Sequence, residues 1–371
     1  MTNLILAHPT QAEAERTWVA THPLWGGSLS VQNYLKREED GFKFPLARDG
    51  GLVPWILTDG TVETNRPVLS SCETLRKRAL IRTKDGVVKE GWVYGVASVF
   101  TLPEYRGKGY ASTLLSLLGR EIPKRKEEGG DVMFSVLFSD IGKTFYAKLG
   151  WAPFESNHIE MPVRNPRSET ADGTSPISLD DVPGLAALDE KLLRAKFIAA
   201  EGSQAKTRVA ILPDADTMLW HMYREDFMCQ HTLSRKAVVR GAMYAPPSRA
   251  GGRVWALWTR GLYGGAAAPE KNTLYILRLA IEDEDGMSDE ELGEALRQIF
   301  EAAQKEAQDW LCAKIEMWNP NERIRGLLEG VAEFGAKFVV REKDEISSLR
   351  WFGEGSEENV EWVSNEKYVW C

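Results

Sequence analysis

The chain has 371 residues, enough for two hydrophobic cores, and 43% apolar with 27% charged residues is the balance of an ordinary soluble protein. A net charge of −8 argues against a nucleic-acid binder held by phosphate contacts. The four cysteines (Cys72, Cys229, Cys312, Cys371) lack CxxC pairing and the five histidines lack HxxH or HxxxH spacing. Neither zinc nor disulfides are therefore expected, and a reducing compartment, by default the cytoplasm, is.

In chain order, the apolar run at 4–7 stops at His8-Pro9, too short for a signal-peptide core, and no apolar stretch reaches membrane length. Helices are expected at 12–22 and 30–39, and strands at 53–57 and 68–75 with a turn signal at Asp59-Gly60. A longer strand spans 92–102 and ends at Pro103. In 109–122 the residues Ala111, Leu114, Leu115, Leu118 and Ile122 recur at helical spacing until Pro123. Residues 132–138 read as a strand, and Ser139-Asp140 as the cap of a short helix ending at Gly150. Composition then shifts to Arg, Asn, Pro, Ser, Thr, Asp and Gly, which marks a linker at 164–180 between domains at 1–163 and 181–371. The second domain repeats the order of the first. Strands are expected at 253–260 and 272–281, a helix at 288–309, a strand at 313–318 and a short helix at 321–334. Terminal β-rich pieces follow at 337–341, 347–352 and 360–370.

The chemistry concentrates in residues 96–112, VASVFTLPEYRGKGYAS, where a strand enters a glycine turn that opens directly into a helix. Gly107 and Gly109 let several amides converge, the helix start adds unpaired N–H groups, and Arg106 and Lys108 add positive charge. A pyrophosphate fits such a turn, and small Ala111 and Ser112 let it come close. A nucleotide P-loop is ruled out, because Leu137 stands where Gly142-Lys143-Thr144 would need a leading glycine. A dinucleotide fingerprint is ruled out by Ser112, which occupies the place of its third glycine.

Arg-x-x-Gly-x-Ala after Pro-Glu-Tyr resembles the acetyl-CoA signature of the GCN5-related N-acetyltransferase (GNAT) superfamily. Residues 135–151 resemble the superfamily's later strand–helix element, which ends in Tyr, three residues, Gly and an aromatic. The resemblance implies an α/β fold with a mixed, mostly antiparallel central sheet flanked by helices, and a second, degenerate copy of it. It implies acetyl-CoA as co-substrate, bound through Arg106, Gly107, Lys108, Gly109, Tyr110 and Ala111, and no metal. By register the backbone amides of Val99, Phe100 and Thr101 would hold the thioester carbonyl, and Tyr146 would protonate the departing thiolate. Beyond the superfamily, Pro23-Leu-Trp-Gly-Gly27, Ser71-Cys-Glu-Thr74 and the ending Asn365-Glu-Lys-Tyr-Val-Trp-Cys371 look like the fungal lysine N-acetyltransferases. That implies transfer to the ε-amine of free lysine or a related small amine. The alternatives are a protein-directed lysine acetyltransferase and a non-catalytic acyl-CoA-binding module.

The superfamily's usual base, a glutamate on the strand before the loop, has no counterpart in 96–102. Glu73 is one candidate, with an ion pair to Arg76 or Arg78 as its structural alternative. The chain-end carboxylate on Cys371 is another, by resemblance to N-myristoyltransferases, with an ordinary edge strand as the alternative for the tail. In the second copy the loop position carries Glu282-Asp-Glu-Asp-Gly286, which would repel a pyrophosphate. That copy is expected to close the amine pocket instead, with Trp255, Trp258, Tyr263 or the tail as walls.

Overall fold

A computed structural model describes residues 3–164, 173–199, 206–247, 249 and 251–371. The chain opens with strand β1 (Leu4–Ala7) and helices α1 (Gln11–Trp25) and α2 (Val31–Gly41), the first closed by a capping box between Thr10 and Glu13. Strands β2 (Leu52–Asp59), β3 (Ser70–Arg82) and β4 (Val88–Phe100) form an antiparallel meander. Helix α3 (Tyr110–Glu121) leads into β5 (Val132–Ser139), which pairs parallel to β4. Buried Leu114, Leu115 and Leu118, with Ile122 just past the helix, pack α3 against Trp55, Val96 and Leu137, each worth about 1.5–3 kcal/mol on burial. The next helix, α4, is only Thr144–Ala147. Ser139 does not cap it, because its hydroxyl is engaged by the Ile141 amide and the Gly142 carbonyl within the turn before.

After β6 (Ala152–Pro153) the chain leaves the first sheet, and β7 (Asn157–Pro162) lies in a second one. There it joins β8 (Thr174–Ile177), β10 (Gly241–Tyr244), β11 (Val254–Leu262), β12 (Asn272–Ile281), β13 (Lys314–Trp318) and β14 (Lys337–Val340). Between these run α5 (Val182–Ala199), β9 (Thr207–Ile211), which returns to pair with β3, α6 (Ala215–Leu233), α7 (Asp289–Asp309) and α8 (Glu322–Glu329). Last come β15 (Ile346–Trp351), inserted between β5 and β6, and β16 (Val360–Trp362), which pairs with β9.

The two sheets read alike: β1-β2-β3-β4-β5-β15-β6 and β8-β10-β11-β12-β13-β7-β14, each with one parallel pair at its centre. One strand arrangement thus occurs twice, as the resemblance implied, and the strand between the fifth and last positions is exchanged: β7 fills the second sheet and β15 the first. Sheet membership therefore departs from the boundary expected at 163. The expected linker, 164–180, falls mostly outside the described residues, but Thr174–Ile177 is a hydrogen-bonded edge strand, paired with β10. A shared core of Val93, Phe134, Val136, Met218, Met222, Trp255, Leu257, Tyr368 and Val369 joins the two halves. Among the described residues, no helix is long and apolar enough to cross a membrane.

Candidate active site

At the end of β4, Pro103–Tyr105 makes a single 3-10 turn before the loop. Gly107 and Gly109 take left-handed φ values of 75° and 78°, and a Cβ at either would meet nothing within 4 Å, so backbone conformation alone calls for glycine. Gly109 caps α3 without a side chain. The first bond into the helix is from the Thr113 amide to the Gly109 carbonyl at 3.0 Å, which leaves the amides of Tyr110, Ala111 and Ser112 without intrahelical partners. Those amides and the positive end of the helix dipole form an anion cradle. Arg106 donates to the Thr101 carbonyl (3.1 Å) and Lys108 to that of Glu104 (3.2 Å); among the described residues neither has a carboxylate partner. Arg106, Gly107, Gly109, Tyr110 and Ala111 line one cavity of about 970 Å³, while the Lys108 side chain lies beside it over Tyr105.

The cavity continues along a splayed strand edge. β4 pairs with β3 as far as Ser71 opposite Phe100, but with β5 only as far as Val96 opposite Leu137. A bulge at this point puts Ser98 at φ 54°. Val99, Phe100 and Thr101 therefore stand on an edge that β5 does not cover, and all three line the cavity.

Tyr146 lines the same cavity, edge-on to Phe145 with centroids 5.0 Å apart. Burial, reinforced by nearby Asp140, raises its hydroxyl pKa far above neutrality, so the group is a proton donor rather than a phenolate. Glu73, on β3, also lines it and accepts a hydrogen bond from the Ser98 hydroxyl at 3.0 Å. The ion pairs considered for it do not form: Arg76 pairs with Glu127, and Arg78 with Glu90 and Glu190. Burial and then the charge of Glu38 push the Glu73 carboxyl up to about 7.

The chain's last residues reach this cavity as well, and not as an edge strand. After β16 the tail makes one 3-10 turn, Lys367–Val369, whose carbonyls need donors. Buried Lys77 supplies them, its ammonium bonding the carbonyls of Tyr368 (3.4 Å), Val369 (3.0 Å) and Trp370 (2.8 Å), with burial pulling its pKa down to about 8. Trp370 and Cys371 then face the cavity, and the Cys371 side chain packs on Gly95 of β4. A Cβ at Gly95 would lie 2.7 Å from the Cys371 sulfur, so glycine is needed there for close approach. Burial raises the Cys371 thiol to about 11, which keeps it un-ionised at neutral pH.

In the second copy, ion pairs occupy the matching loop. Glu282 is paired with Arg253, Asp283 with Arg249 at 2.6 Å, and Glu284 with Lys196. Ser288 and Glu291 close a capping box on α7, which occupies the amides of those two residues with the helix's own side chains. Three residues past the last parallel pair, where the first sheet has Val99 open, the second has Leu279, whose amide donates to the Glu366 carboxylate at 3.1 Å. Trp255 and Trp258 are 0% and 1% exposed and belong to the core; of the walls expected from this half, Tyr263 and the tail reach the cavity. His158, Glu160 and Glu316 come within 4.8 Å of one another, but Lys314 already bridges the two carboxylates at 2.9 and 2.6 Å.

Sequence reasoning missed the far wall: Tyr34, Arg37 and Glu38 of α2, Trp220 and Arg224 of α6, and Glu345. The one signal available was Trp220 and Arg224 at i and i+4, which share a helix face once α6 is known to be a helix.

Residues 158–371 match the family described as the LYC1 GNAT-like C-terminal domain. A lysine acetyltransferase of Yarrowia lipolytica is 27% identical over 281 residues, covering 64% of this chain and 67% of that one. A GCN5-related N-acetyltransferase from Kribbella flavida has a similar fold at 17% identity, with a TM-score of 0.53 over 94% of this chain and 72% of its own. Saccharomyces cerevisiae N-myristoyltransferase, solved with bound myristoyl-CoA, also has a similar fold, with a TM-score of 0.54 at 8% identity over 96% and 80% of the two chains.

Proposed function

The chain belongs to the LYC1 GNAT-like family, and on that premise we propose that it is an acetyl-CoA-dependent N-acetyltransferase acting on the ε-amine of free lysine or a related small amine. The observation that carries this reading is one continuous cavity, which joins the amide cradle of α3 to the open edge of β4, Tyr146 and Glu73. The name of the Yarrowia relative supports lysine as the acceptor.

In this reading the pyrophosphate of acetyl-CoA sits on the amides of 107–112 with Arg106 beside it, and the pantetheine arm runs in the gap between β4 and β5. The edge amides of 99–101 hold the thioester carbonyl as it gains negative charge. A protonated lysine amine, pKa about 10.4, must lose its proton before it can attack. Glu73 takes that proton; a carboxylate titrating near neutrality is well matched to the task. The neutral amine attacks the thioester carbon, the C–S bond breaks, Tyr146 gives its proton to the leaving thiolate, and the proton shed by the nitrogen as the amide forms restores the phenol. No acyl-enzyme is needed, and Cys371 serves as a wall. A second reading gives the base role to the α-carboxyl group of Cys371, favoured by the tail's anchorage on Lys77 at the cavity. A Glu73→Gln variant separates the two.

The second domain in this proposal, centred on residues 181–371, binds no cofactor and supports the tail and the acceptor wall. The deciding assay is release of free thiol from acetyl-CoA in the presence of lysine, ornithine, polyamines, amino sugars or a histone-tail peptide. Fastest turnover with lysine or a similar small amine supports the proposal. Preference for the peptide would favour a protein-directed enzyme, and CoA binding without thiol release would leave only a binding module.

A further inference from the structure

Beyond Glu73 the cavity holds an arginine that the transfer step does not use. Arg224 projects from α6 one turn after Trp220, with its guanidinium over that indole at 5.2 Å from the ring centroid. Its charged neighbours are Arg37, Glu38 and Glu73. Arg37 is already bound to Glu38 at 2.6 Å, whereas Arg224 has no carboxylate within ion-pair distance among the described residues. Burial and the neighbouring Arg37 both disfavour its positive charge. A half-buried guanidinium stacked on an indole and bonded to no carboxylate is costly to hold, and an arriving anion relieves that cost.

We infer that Arg224 binds the carboxylate of the acceptor, so that the enzyme acts on free amino acids rather than on polyamines or peptide-linked lysine; this rests on the acetyl-transfer reading above. The chemistry of the wall agrees at each step. The planar guanidinium presents paired donors that match a carboxylate, and Trp220 beneath it keeps the fork in place. Leu52, Leu75 and Trp370 supply apolar surface for an aliphatic stem. Glu38 accepts from Arg37 through Oε1 alone, leaving its second oxygen for an α-ammonium group. Free lysine carries its reacting amine and its carboxylate at opposite ends of one flexible chain, so Glu73 and Arg224 can engage both. In a peptide that carboxylate has become an amide and offers no charge.

The test compares kcat/KM for lysine, 6-aminohexanoate, lysinamide and cadaverine by thiol release. Lysine and 6-aminohexanoate are expected to exceed lysinamide and cadaverine by about 10- to 100-fold, the value of a charge-assisted bond. In Arg224→Gln the lysine-to-lysinamide ratio should collapse to within about twofold, and Arg224→Lys should restore part of it. Equal use of lysine and lysinamide by the wild-type protein, or an unchanged ratio in Arg224→Gln, overturns the assignment alone. No turnover with any amine overturns the acetyl-transfer reading and the assignment with it. Because the wild-type substrate series is decisive by itself, a poorly folding variant does not shield the proposal.

Discussion

Replacing Glu73 by glutamine keeps the shape of the side chain and its contact with Ser98 but removes the charge that would accept the acceptor's proton. The magnitude follows from two pKa values. A lysine amine near 10.4 is neutral in only about one molecule in 2,500 at pH 7, equivalent to about 4.6 kcal/mol. A positioned base typically recovers 10²- to 10⁴-fold in rate, so Glu73→Gln should lower kcat/KM by about 100-fold or more at pH 7. The pH profile is more diagnostic than the rate. With a carboxyl pushed up to about 7, the ionised fraction rises from about one-tenth at pH 6 to about nine-tenths at pH 8, so wild-type kcat/KM should climb about tenfold and then level. The variant depends on amine that is already neutral and should keep rising about tenfold per pH unit with no plateau near 7. Stability moves the other way. The folded carboxyl binds a proton between about 4.5 and 7 that the unfolded chain has released, so its contribution to stability falls as pH rises through that window. Glu73→Gln escapes this penalty and should melt no lower than wild type at pH 8. A variant that kept the wild-type rate and the same inflection near pH 7 would refute Glu73 as base and favour the α-carboxyl group of Cys371.

Tyr146→Phe should reduce kcat by about 10²- to 10⁴-fold, while calorimetry finds CoA affinity within about twofold of wild type. Gly109→Val puts a β-branched residue at φ 78°, a conformation costing about 1–2 kcal/mol, beside the amide cradle; CoA affinity measured by calorimetry should fall at least about tenfold. Gly95→Ala places a methyl 2.7 Å from the Cys371 sulfur and should push the tail outward. KM for the amine should rise and limited proteolysis should release the tail faster; a second change, Cys371→Gly, should rescue both. Lys77→Met leaves three carbonyls without their shared donor and should destabilise the fold by about 1–3 kcal/mol, read as a lower Tm.

The proposed cofactor end of this protein is written in adjacent residues. The positive φ of Gly107 and Gly109, the amphipathic register of α3 and the turn at Pro103 are all short-range, so residues 96–122 foretold their own structure. The doubling of the fold was visible for a related reason, because strand and helix periods survive where sequence identity does not. The end proposed for the acceptor had no such local signature. Its wall combines Glu38, Glu73, Arg224 and Trp370, drawn from across the chain, and each alone looks like an ordinary surface or core residue. Arg76 and Arg78 lie within five residues of Glu73 in sequence, yet Glu127, Glu90 and Glu190 claim them, and only folding reveals that competition. Within 164–180, which composition marked as a linker, long-range pairing with β10 makes 174–177 a strand.

Residues 96–122 alone were enough to specify the glycine turn and helix start proposed to cradle a diphosphate, and strand and helix periods were enough to reveal a second copy, because both depend on backbone geometry set by near neighbours. Which strands the two halves exchange, where the tail inserts and what lines the far wall of the cavity came from the folded chain alone. Those outcomes turn on burial and ion pairing between residues hundreds of positions apart, and no local pattern encodes them.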